Sequence, residues 1–320
     1  MITKPASEPV ASLGSLLAQR AEADARGAEA FGRTVVAMVT PFTAQGELDT
    51  VAAARLATAL VDAGCDGLVL NGTTGESATT TEEEKERLVR AVVEAVGERA
   101  RIIAGAGSND TAHSVLLAKQ AHRAGAHGLL VVTPYYNRPS QAGVLAHMTA
   151  VADATPLPVM LYDIPKRTGV ALERETMIRL AAHPRIIANK DARDDSTFAS
   201  DMIATTPLAW YSGDDINNLP LLAIGGTGVV SVVGHLVADR LAALTAHARA
   251  GQLHEATAIH LALTGLTIAI MTRMPGVVAV KAALRHRGLL GGGVRLPLVD
   301  ADRTSTRKLL AECSAAGFTL

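Results

Sequence analysis

The chain has 320 residues, of which 48% are hydrophobic, and its 30 basic and 31 acidic side chains give a net charge of -1. It contains no basic stripe, no unbroken apolar run of the roughly 18 residues that a membrane span needs and no signal-peptide core in residues 1–30, so we expect neither a nucleic-acid nor a membrane partner. The two distant cysteines, Cys65 and Cys313, favour a cytoplasmic location over a disulfide-bonded extracellular one.

Short, β-branched apolar runs recur along the chain, and polar or glycine-rich turns follow them. Near-continuously apolar runs of this kind are typical of parallel strands that are buried on both faces. The predicted strands cover residues 34–40, 67–70, 101–107, 128–134, 158–165, 185–190, 208–214 and 226–234.

Amphipathic helices are predicted between these strands. The clearest covers residues 79–97, with threonines at its N-cap, acidic residues in its first turn and Gly97 near its end. Another covers residues 110–125 and has Asp110 as its N-cap, and a third covers residues 173–184.

The order of these elements predicts the fold class. About eight strand–helix units follow one another at intervals of roughly 25–35 residues, which indicates a (β/α)₈ barrel. A doubly wound sheet is the alternative, but its glycine-rich turn after the first strand is absent. We expect an exposed N-terminal arm over residues 1–30, a catalytic barrel over 31–236, and the final barrel helix with further C-terminal helices over 237–320.

Polar turns follow several of the predicted strands. In barrels of this kind the active site lies at the carboxyl ends of the strands, where such turns converge. The segments are NGTTGES (71–77), TPYYNRPS (133–140), YDIPKRTG (162–169) and SGDD (212–215), and the sixth strand ends on Lys190.

Lys190 ends an apolar run in which buried lysine is unexpected. Strand alternation predicts that Ile186, Ala188 and Lys190 share one face, with the lysine at the barrel mouth. A lysine there has a lowered pKa, and its neutral amine can attack a carbonyl and form a Schiff base. The alternative is a structural lysine that pairs with Asp191 or Asp194.

The neighbouring turns offer complementary groups. Tyr162, at the end of the fifth strand, is placed to relay a proton, and Arg167 in the following loop is suited to a two-pronged hydrogen bond with a carboxylate. The turn at 71–77 offers amides for an anion and the two hydroxyls of Thr73 and Thr74. Taken singly, these features are also typical of a tyrosine that only packs, an arginine that is only solvated and an ordinary turn between a strand and a helix.

A metal site is a weak interpretation of this sequence. The histidines form neither a His-Glu-x-x-His motif nor a Cys/His cluster. Asp214 and Asp215 are adjacent, and neighbouring side chains in a strand point to opposite faces. We therefore expect no metal ion.

As a set, these motifs resemble the dihydrodipicolinate synthase and N-acetylneuraminate lyase family of Schiff-base aldolases. The resemblance covers residues 31 to 315 and depends on the order and spacing of GTTGES, TPYYNRPSQ, YDIPKRTG, NKDA and SGDD. It implies a (β/α)₈ barrel with C-terminal helices, a homotetramer built as a dimer of dimers, and no metal or organic cofactor.

The resemblance also implies a reaction and its residues. Lys190 would form an imine with pyruvate, and the derived enamine would attack L-aspartate-4-semialdehyde, a step of lysine and diaminopimelate biosynthesis. Tyr162 would donate and accept the proton, Thr73 would continue the relay, and Tyr136 would complete it from the neighbouring subunit. The substrate-binding positions would be Thr74, Arg167, Val230 and Gly213.

Two other functions remain open at this point. One is a pyruvate-dependent aldolase or lyase that acts on a sugar acid, and the other is a non-catalytic paralogue that binds a keto acid. Relatives that cleave sugar acids typically carry Ser-Thr in the second-strand turn and lack the arginine after the fifth strand. Thr73, Thr74 and Arg167 therefore favour the synthase.

Two departures from the family pattern stand out. Some members bind L-lysine as a feedback inhibitor, and the corresponding positions here are Ser77, Ala78, Glu82, Lys85, Asn109, His113 and Tyr135. Glu82 and Lys85 replace histidines and His113 replaces an acidic residue, so we expect weak or no inhibition by L-lysine. Asn189 replaces an aliphatic residue on the face toward the helices, where a buried amide needs partners.

Overall fold

The computed structural model describes residues 12–318. Neighbouring strands pair in parallel, and the last pairs with the first, so the sheet closes into a barrel in chain order. The strands are β1 Thr34–Ala37, β2 Gly67–Leu70, β3 Arg101–Gly105, β4 Gly128–Val132, β5 Val159–Asp163, β6 Ile186–Asp191, β7 Ala209–Ser212 and β8 Gly228–Ser231. The predicted (β/α)₈ barrel is confirmed.

Helices surround the barrel and continue beyond it. They are α1 Leu13–Phe31, α2 Thr50–Asp62, α3 Glu82–Val96, α4 Thr111–Arg123, α5 Gln141–Asp153, α6 Pro165–Thr168, α7 Arg174–Ala181, α8 Ser196–Thr205, α9 Asn218–Ala223, α10 Gly234–Arg249, α11 Leu253–Thr272, α12 Gly276–His286 and α13 Arg303–Ala315. The predicted caps are present: Thr81 and Glu84 form a capping box at α3, and the Asp110 side chain accepts from Ala112 N–H at α4.

Alternation along the strands divides the apolar side chains into two layers. One layer fills the barrel interior and includes Val35, Val69, Ile103, Leu130, Met160 and Val230. The other, larger layer lies between the strands and the surrounding helices. Because both faces of each strand are covered, the strands are apolar almost throughout, as the sequence indicates.

The prediction that Ile186 shares a face with Ala188 and Lys190 is wrong. Ile186 packs in the outer layer, whereas Ala188 packs in the interior. The register between β5 and β6 shifts, because Val159 pairs with Ile186 and Met160 pairs with Ala188. This irregularity leaves one residue of β6 unpaired, and strict alternation resumes only after it.

The expectation of an exposed arm at residues 1–30 is wrong for the second half of α1; residues 1–11 lie outside the described part of the chain. Phe31, the last residue of α1, is fully buried in the barrel interior, edge-on to the Tyr211 ring at 6.3 Å between centroids. A Cβ on Gly27 would lie 2.3 Å from the Cβ of Ala209, at the start of β7. Small residues thus let α1 close the amino-terminal end of the barrel.

The C-terminal helices are present as predicted. The expected boundary after residue 236 falls inside α10, at a kink around Val237. Helix α11 packs on α10 and α13. Among the helices of residues 12–318, only α11 could cross a membrane by length and composition, which is weak evidence because buried core helices pass the same test. Residues 287–302, here called the C-terminal loop, connect α12 to α13 and return to the barrel mouth.

Candidate active site

A cavity of about 410 Å³ opens at the carboxyl ends of the strands. The turns after β2, β4 and β5 form its wall together with the C-terminal loop. Four of the predicted catalytic and substrate-binding residues line it: Thr73, Tyr136, Tyr162 and Arg167. The structure therefore brings Thr73, Tyr162 and the expected carboxylate-binding arginine together in one cavity with Tyr136 of the same chain. A tyrosine supplied by a neighbouring subunit stays a prediction.

Lys190 lies at the base of this site, near the end of β6. Its Cα is in register with that of Tyr162 on β5, and its Nζ lies 4.2 Å from the centroid of the Tyr162 ring. Only 4% of the lysine is exposed. The pair that the sequence singled out is therefore in direct contact inside the barrel.

The structural alternative for Lys190 is not observed. The Asp191 carboxylate accepts hydrogen bonds from Trp210 Nε1–H at 2.9 Å and from Arg193 N–H at 2.9 Å. Asp194 faces the exposed Lys166 at 3.4 Å. Within residues 12–318, neither carboxylate forms an ion pair with Lys190.

Burial lowers the pKa of Lys190 from 10.5 to about 8. The charges of Asp215 and Asp214 oppose the shift, and that of Arg167 adds to it. A substantial fraction of the amine is therefore neutral in mildly alkaline solution, and the neutral form is the nucleophile.

Asp215 is a site residue that the sequence alone did not reveal. Its Oδ1 accepts from the hydroxyl of Ser231, and its Oδ2 accepts from the N–H groups of Val232 at 2.8 Å and Val233 at 3.0 Å. The carboxylate is thus fixed at the start of the segment that follows β8, and its field acts on Lys190. The second acidic residue of SGDD was the available signal, but it suggested a metal ligand.

Tyr162 is buried with its phenol in the cavity wall. Burial raises its pKa to about 12, while the Arg167 charge and a hydrogen bond with the Thr73 side chain pull the pKa down. The phenol is therefore protonated at neutral pH and can donate a proton to a nearby intermediate.

The turn after β2 has a tightly fixed backbone. Asn71 and Glu76 adopt left-handed conformations, with φ values of 55° and 54°. The Thr40 hydroxyl donates to Gly75 O at 2.6 Å, and Ser77 N–H donates to Gly72 O at 3.2 Å. Thr73 is presented to the cavity from this turn, and Thr74 is half-buried beside it.

Gly213 lies close to the lysine, and Val230 lies in the barrel interior. A Cβ on Gly213 would be 2.9 Å from Lys190 Cγ and 3.0 Å from Lys190 Cε. Any side chain there would displace the lysine, so the glycine is required by close packing. Val230 is 1% exposed and packs in the interior layer.

Tyr136 stands out for its backbone and its exposure. It has a φ of 72° and is 87% exposed, both unusual for a bulky aromatic residue. Arg167, on the single turn α6, is also exposed where it meets the cavity. The outer part of the site therefore consists of a tyrosine and an arginine that face solvent in one chain.

The residues that correspond to the family's lysine site divide into two groups. Ser77, Ala78 and Tyr135 line the cavity. The His113 imidazole instead faces the Glu82 carboxylate at 3.2 Å, and the buried Lys85 donates to Thr80 O. The backbone carbonyl of Asn109 accepts from Asn137 Nδ2–H at 2.8 Å.

Asn189 is fully buried, as predicted for the face toward the helices. In register it lies between Leu161 and Trp210. Neither its Oδ1 nor its Nδ2 has a hydrogen-bond partner within residues 12–318. The expected partners are not found, so this amide is buried at a cost.

No group of three or more histidine, cysteine, aspartate or glutamate side chains in the described range is arranged to hold a metal ion. The expectation of no metal and no cofactor remains a prediction.

Comparison with known proteins places these features in a family. The model of the dihydrodipicolinate synthetase family matches residues 30–316. A 4-hydroxy-tetrahydrodipicolinate synthase from Acidothermus cellulolyticus is 58% identical, with 90% of this chain and 94% of that protein covered. One from Streptomyces coelicolor is 56% identical over 91% of this chain and 97% of that protein. The crystal structure of the Cyanidioschyzon merolae enzyme with lysine bound is 42% identical and superposes with a TM-score of 0.86, over 90% and 98% of the two chains.

Proposed function

This chain belongs to the dihydrodipicolinate synthetase family, and we propose that it condenses pyruvate with L-aspartate-4-semialdehyde to give 4-hydroxy-tetrahydrodipicolinate. The product belongs to lysine and diaminopimelate biosynthesis. The observation that carries the proposal is the contact of Tyr162 with the buried Lys190, which forms no ion pair within residues 12–318, while Tyr162 lines a cavity together with Thr73 and Arg167.

The reaction begins with the neutral amine of Lys190. It attacks the carbonyl of pyruvate, and loss of water leaves an iminium that draws electrons from the adjacent methyl group. Loss of a methyl proton then gives the enamine. The lysine accepts the electron pair, so this route requires no metal or organic cofactor.

Tyr162 and Thr73 move the protons of these steps. The phenol remains protonated because burial raises its pKa to about 12, and it donates to the oxygen that leaves as water. The hydrogen bond with Thr73 carries the proton toward the outer cavity. Tyr136 of a neighbouring subunit continues the relay in this proposal.

The carboxylates of the two substrates bind at different places. Thr74 and the amides of the β2 turn hold the carboxylate of pyruvate, while Gly213 and Val230 shape the pocket around it. Arg167 holds the carboxylate of L-aspartate-4-semialdehyde. The enamine then attacks the aldehyde, and the amine of that substrate closes the ring and displaces Lys190.

We infer a homotetramer, a dimer of dimers, in which neighbouring subunits complete each other's sites. The support is Tyr136, whose strained backbone presents an aromatic side chain that is 87% exposed in one chain. A mixing experiment tests this. Tyr136→Phe and Lys190→Met proteins are dissociated and reassociated together. If Tyr136 acts across the interface, mixed assemblies regain activity that neither variant has; without regain, the tyrosine acts within its own chain.

We also propose a cytoplasmic location and insensitivity to L-lysine. The Glu82–His113 pair and the buried Lys85 occupy positions that would otherwise contact the inhibitor. Steady-state rates with about 1 mM L-lysine, which is at the upper end of typical KM values, are expected to match those without it. Strong inhibition at sub-millimolar lysine would contradict the proposal.

Two assays separate this function from the other candidates. Borohydride reduction in the presence of pyruvate is expected to trap an adduct on the protein, and its absence would leave only a non-catalytic role. Turnover of L-aspartate-4-semialdehyde is expected, with no cleavage of sugar acids. An adduct together with sugar-acid cleavage alone would favour the aldolase that acts on sugar acids.

A further inference from the structure

Glu76, in the catalytic turn after β2, is held by the C-terminal part of the chain. It is 4% exposed and adopts a left-handed conformation that is costly for a residue with a side chain. Its Oε1 accepts from Lys281 Nζ, and its Oε2 accepts from Arg295 N–H at 2.9 Å. Both carboxylate oxygens are therefore bound by groups more than 200 positions away along the sequence.

Lys281, which binds the Glu76 carboxylate, has several other contacts. It lies on α12 and is 1% exposed. Besides Glu76, its ammonium donates to Gly293 O at 2.8 Å and lies 4.1 Å from the centroid of the Phe42 ring. The lysine thus joins α12, the C-terminal loop and the segment after β1 at one point.

Arg295 fixes the same loop from the other side. Its guanidinium also lies over the Phe42 ring, 4.1 Å from the centroid. It donates to Gly46 O at 2.6 Å, to Thr79 O at 2.9 Å and to the Glu84 carboxylate. The arginine therefore connects the C-terminal loop to the first turn of α3, directly after the catalytic turn.

The loop anchored in this way reaches the active site. Pro297 and Leu298, two and three positions after Arg295, line the same cavity as Thr73, Tyr162 and Arg167. In the reaction proposed above, pyruvate is bonded to the buried Lys190 and therefore takes the inner part of the site. The outer part, between Arg167 and Leu298, remains for the aldehyde substrate.

A purely stabilising ion pair does not account for this arrangement. Buried ion pairs are frequently no more stabilising than apolar residues of the same volume. Here the pair acts on a strained residue whose N–H donates to Thr73 O at 3.1 Å. A shift of Glu76 therefore moves Thr73, which lines the same cavity as the Tyr162 phenol.

We propose that Lys281 and Arg295 are positioning residues that hold Thr73 through Glu76, and that the loop they anchor forms the wall met by the second substrate. This inference rests on the function proposed above. It assigns to the C-terminal helices a part in catalysis and in the choice of aldehyde, in addition to their packing.

The test compares four variants with the wild-type protein. Glu76→Gln with Lys281→Met removes both charges of the buried pair, Arg295→Lys keeps the charge and the backbone bond but loses the guanidinium contacts, and Leu298→Ala alters only the wall. Arg273→Met, which breaks an exposed pair with Glu312 on the C-terminal helices, is the matched control. Rates are expressed per site that forms a borohydride adduct with pyruvate, so unfolded protein does not count.

The double variant is expected to lose about 10–100-fold in kcat with little change in the pyruvate KM, because small displacements of a catalytic group cost rate. Arg295→Lys loses less. Leu298→Ala raises the KM of the aldehyde about 5-fold and leaves pyruvate trapping unchanged, since it removes only contact area at the outer wall. Arg273→Met matches the wild type.

Wild-type kinetics in the double variant, per adduct-forming site, would overturn the positioning role. An unchanged aldehyde KM in Leu298→Ala would overturn the role of the wall. If the double variant fails to fold, Arg295→Lys decides the first point, and wild-type rates in that variant would contradict it. Failure of the wild-type protein to form an adduct would instead refute the proposed function.

Discussion

Lys190 and Lys281 are both buried, with 4% and 1% of their surface exposed, yet their surroundings differ. The ammonium of Lys281 contacts the Glu76 carboxylate, a backbone carbonyl and the face of Phe42. Lys190 forms no ion pair within residues 12–318 and lies over the Tyr162 ring. One buried lysine is electrically compensated, and the other is not.

The comparison shows how a fold separates a structural amine from a reactive one. Burial lowers the pKa of both lysines, but the bond with Glu76 opposes the shift at Lys281. At Lys190 the acidic groups act only from a distance, and the pKa falls to about 8. The unpaired lysine therefore has a neutral form available at the barrel mouth, where a carbonyl can reach it.

Replacing Lys190 by methionine is expected to have the largest effect. Because the amine is the nucleophile, kcat should fall by on the order of 10³-fold or more. The free energy of unfolding should stay the same or rise, since an unpaired buried amine is removed. Steady-state kinetics and chemical denaturation measure both, with the exposed Lys166→Met as the control. Retained activity would place the reactive amine elsewhere.

Lys281→Met sharpens the contrast through stability. Removing one partner leaves the Glu76 carboxylate buried and uncompensated, which costs about 3–5 kcal/mol in such pairs. The double variant with Glu76→Gln should recover part of this loss. Urea denaturation followed by circular dichroism measures all three proteins. A single variant as stable as the wild type would show that the pair contributes nothing measurable.

The pH dependence of the rate should report the titration of Lys190. The kcat/KM for pyruvate should rise about tenfold per pH unit below pH 8 and level off above it, because the neutral amine of Lys190 attacks. Tyr162, with a pKa near 12, remains protonated throughout this range. If the chemical step limits the rate, a kcat/KM that stays constant between pH 6 and 9 would contradict the lowered pKa.

The same pKa predicts a change in stability with pH. In the unfolded chain the lysine holds its proton up to the ordinary pKa of 10.5, whereas in the folded protein it loses the proton near 8. Between these values the unfolded state binds more protons, so stability rises with pH. Across this window the free energy of unfolding of the wild type should therefore rise relative to that of Lys190→Met. A constant difference would refute the shift.

The smallest effect is expected at Asn189, directly before Lys190. Leucine has the same branching and number of side-chain heavy atoms as asparagine but no polar atoms, so Asn189→Leu should stabilise the protein by about 1–2 kcal/mol by removing two unsatisfied groups, provided that the helix layer accommodates its larger methyl groups. Activity should change little, because the side chain points to the helix layer. Thermal unfolding and kcat test this, and a destabilised protein would show that the amide has partners after all.

Local patterns predicted much of the molecule. The strands, the caps at Thr81 and Asp110, and the pairing of Lys190 with Tyr162 depend on periodicity and on the strand order of a barrel. These features are encoded within short stretches of sequence. That the carboxyl ends of the strands meet at one end of a barrel can be applied without knowing any side-chain contact.

Features that depend on distant contacts were not predicted. Gly27 and Phe31 pack α1 against the amino-terminal end of the barrel. Predicting this contact would require knowing that Ala209 and Tyr211 lie opposite them. The bulge that turns Ile186 outward depends on its pairing with Val159. The role of Lys281 was signalled only by a lysine in an apolar helix, because its partner Glu76 is far away in sequence.

Site-resolved trapping identifies directly which lysine reacts with pyruvate. The protein is reduced with borohydride in the presence of pyruvate, digested, and each lysine peptide is examined by mass spectrometry. We expect an adduct on Lys190, with Lys281 and the exposed lysines unmodified. An adduct on Lys281, or none on Lys190 while turnover continues, would contradict the assignment of the reactive and the structural lysine.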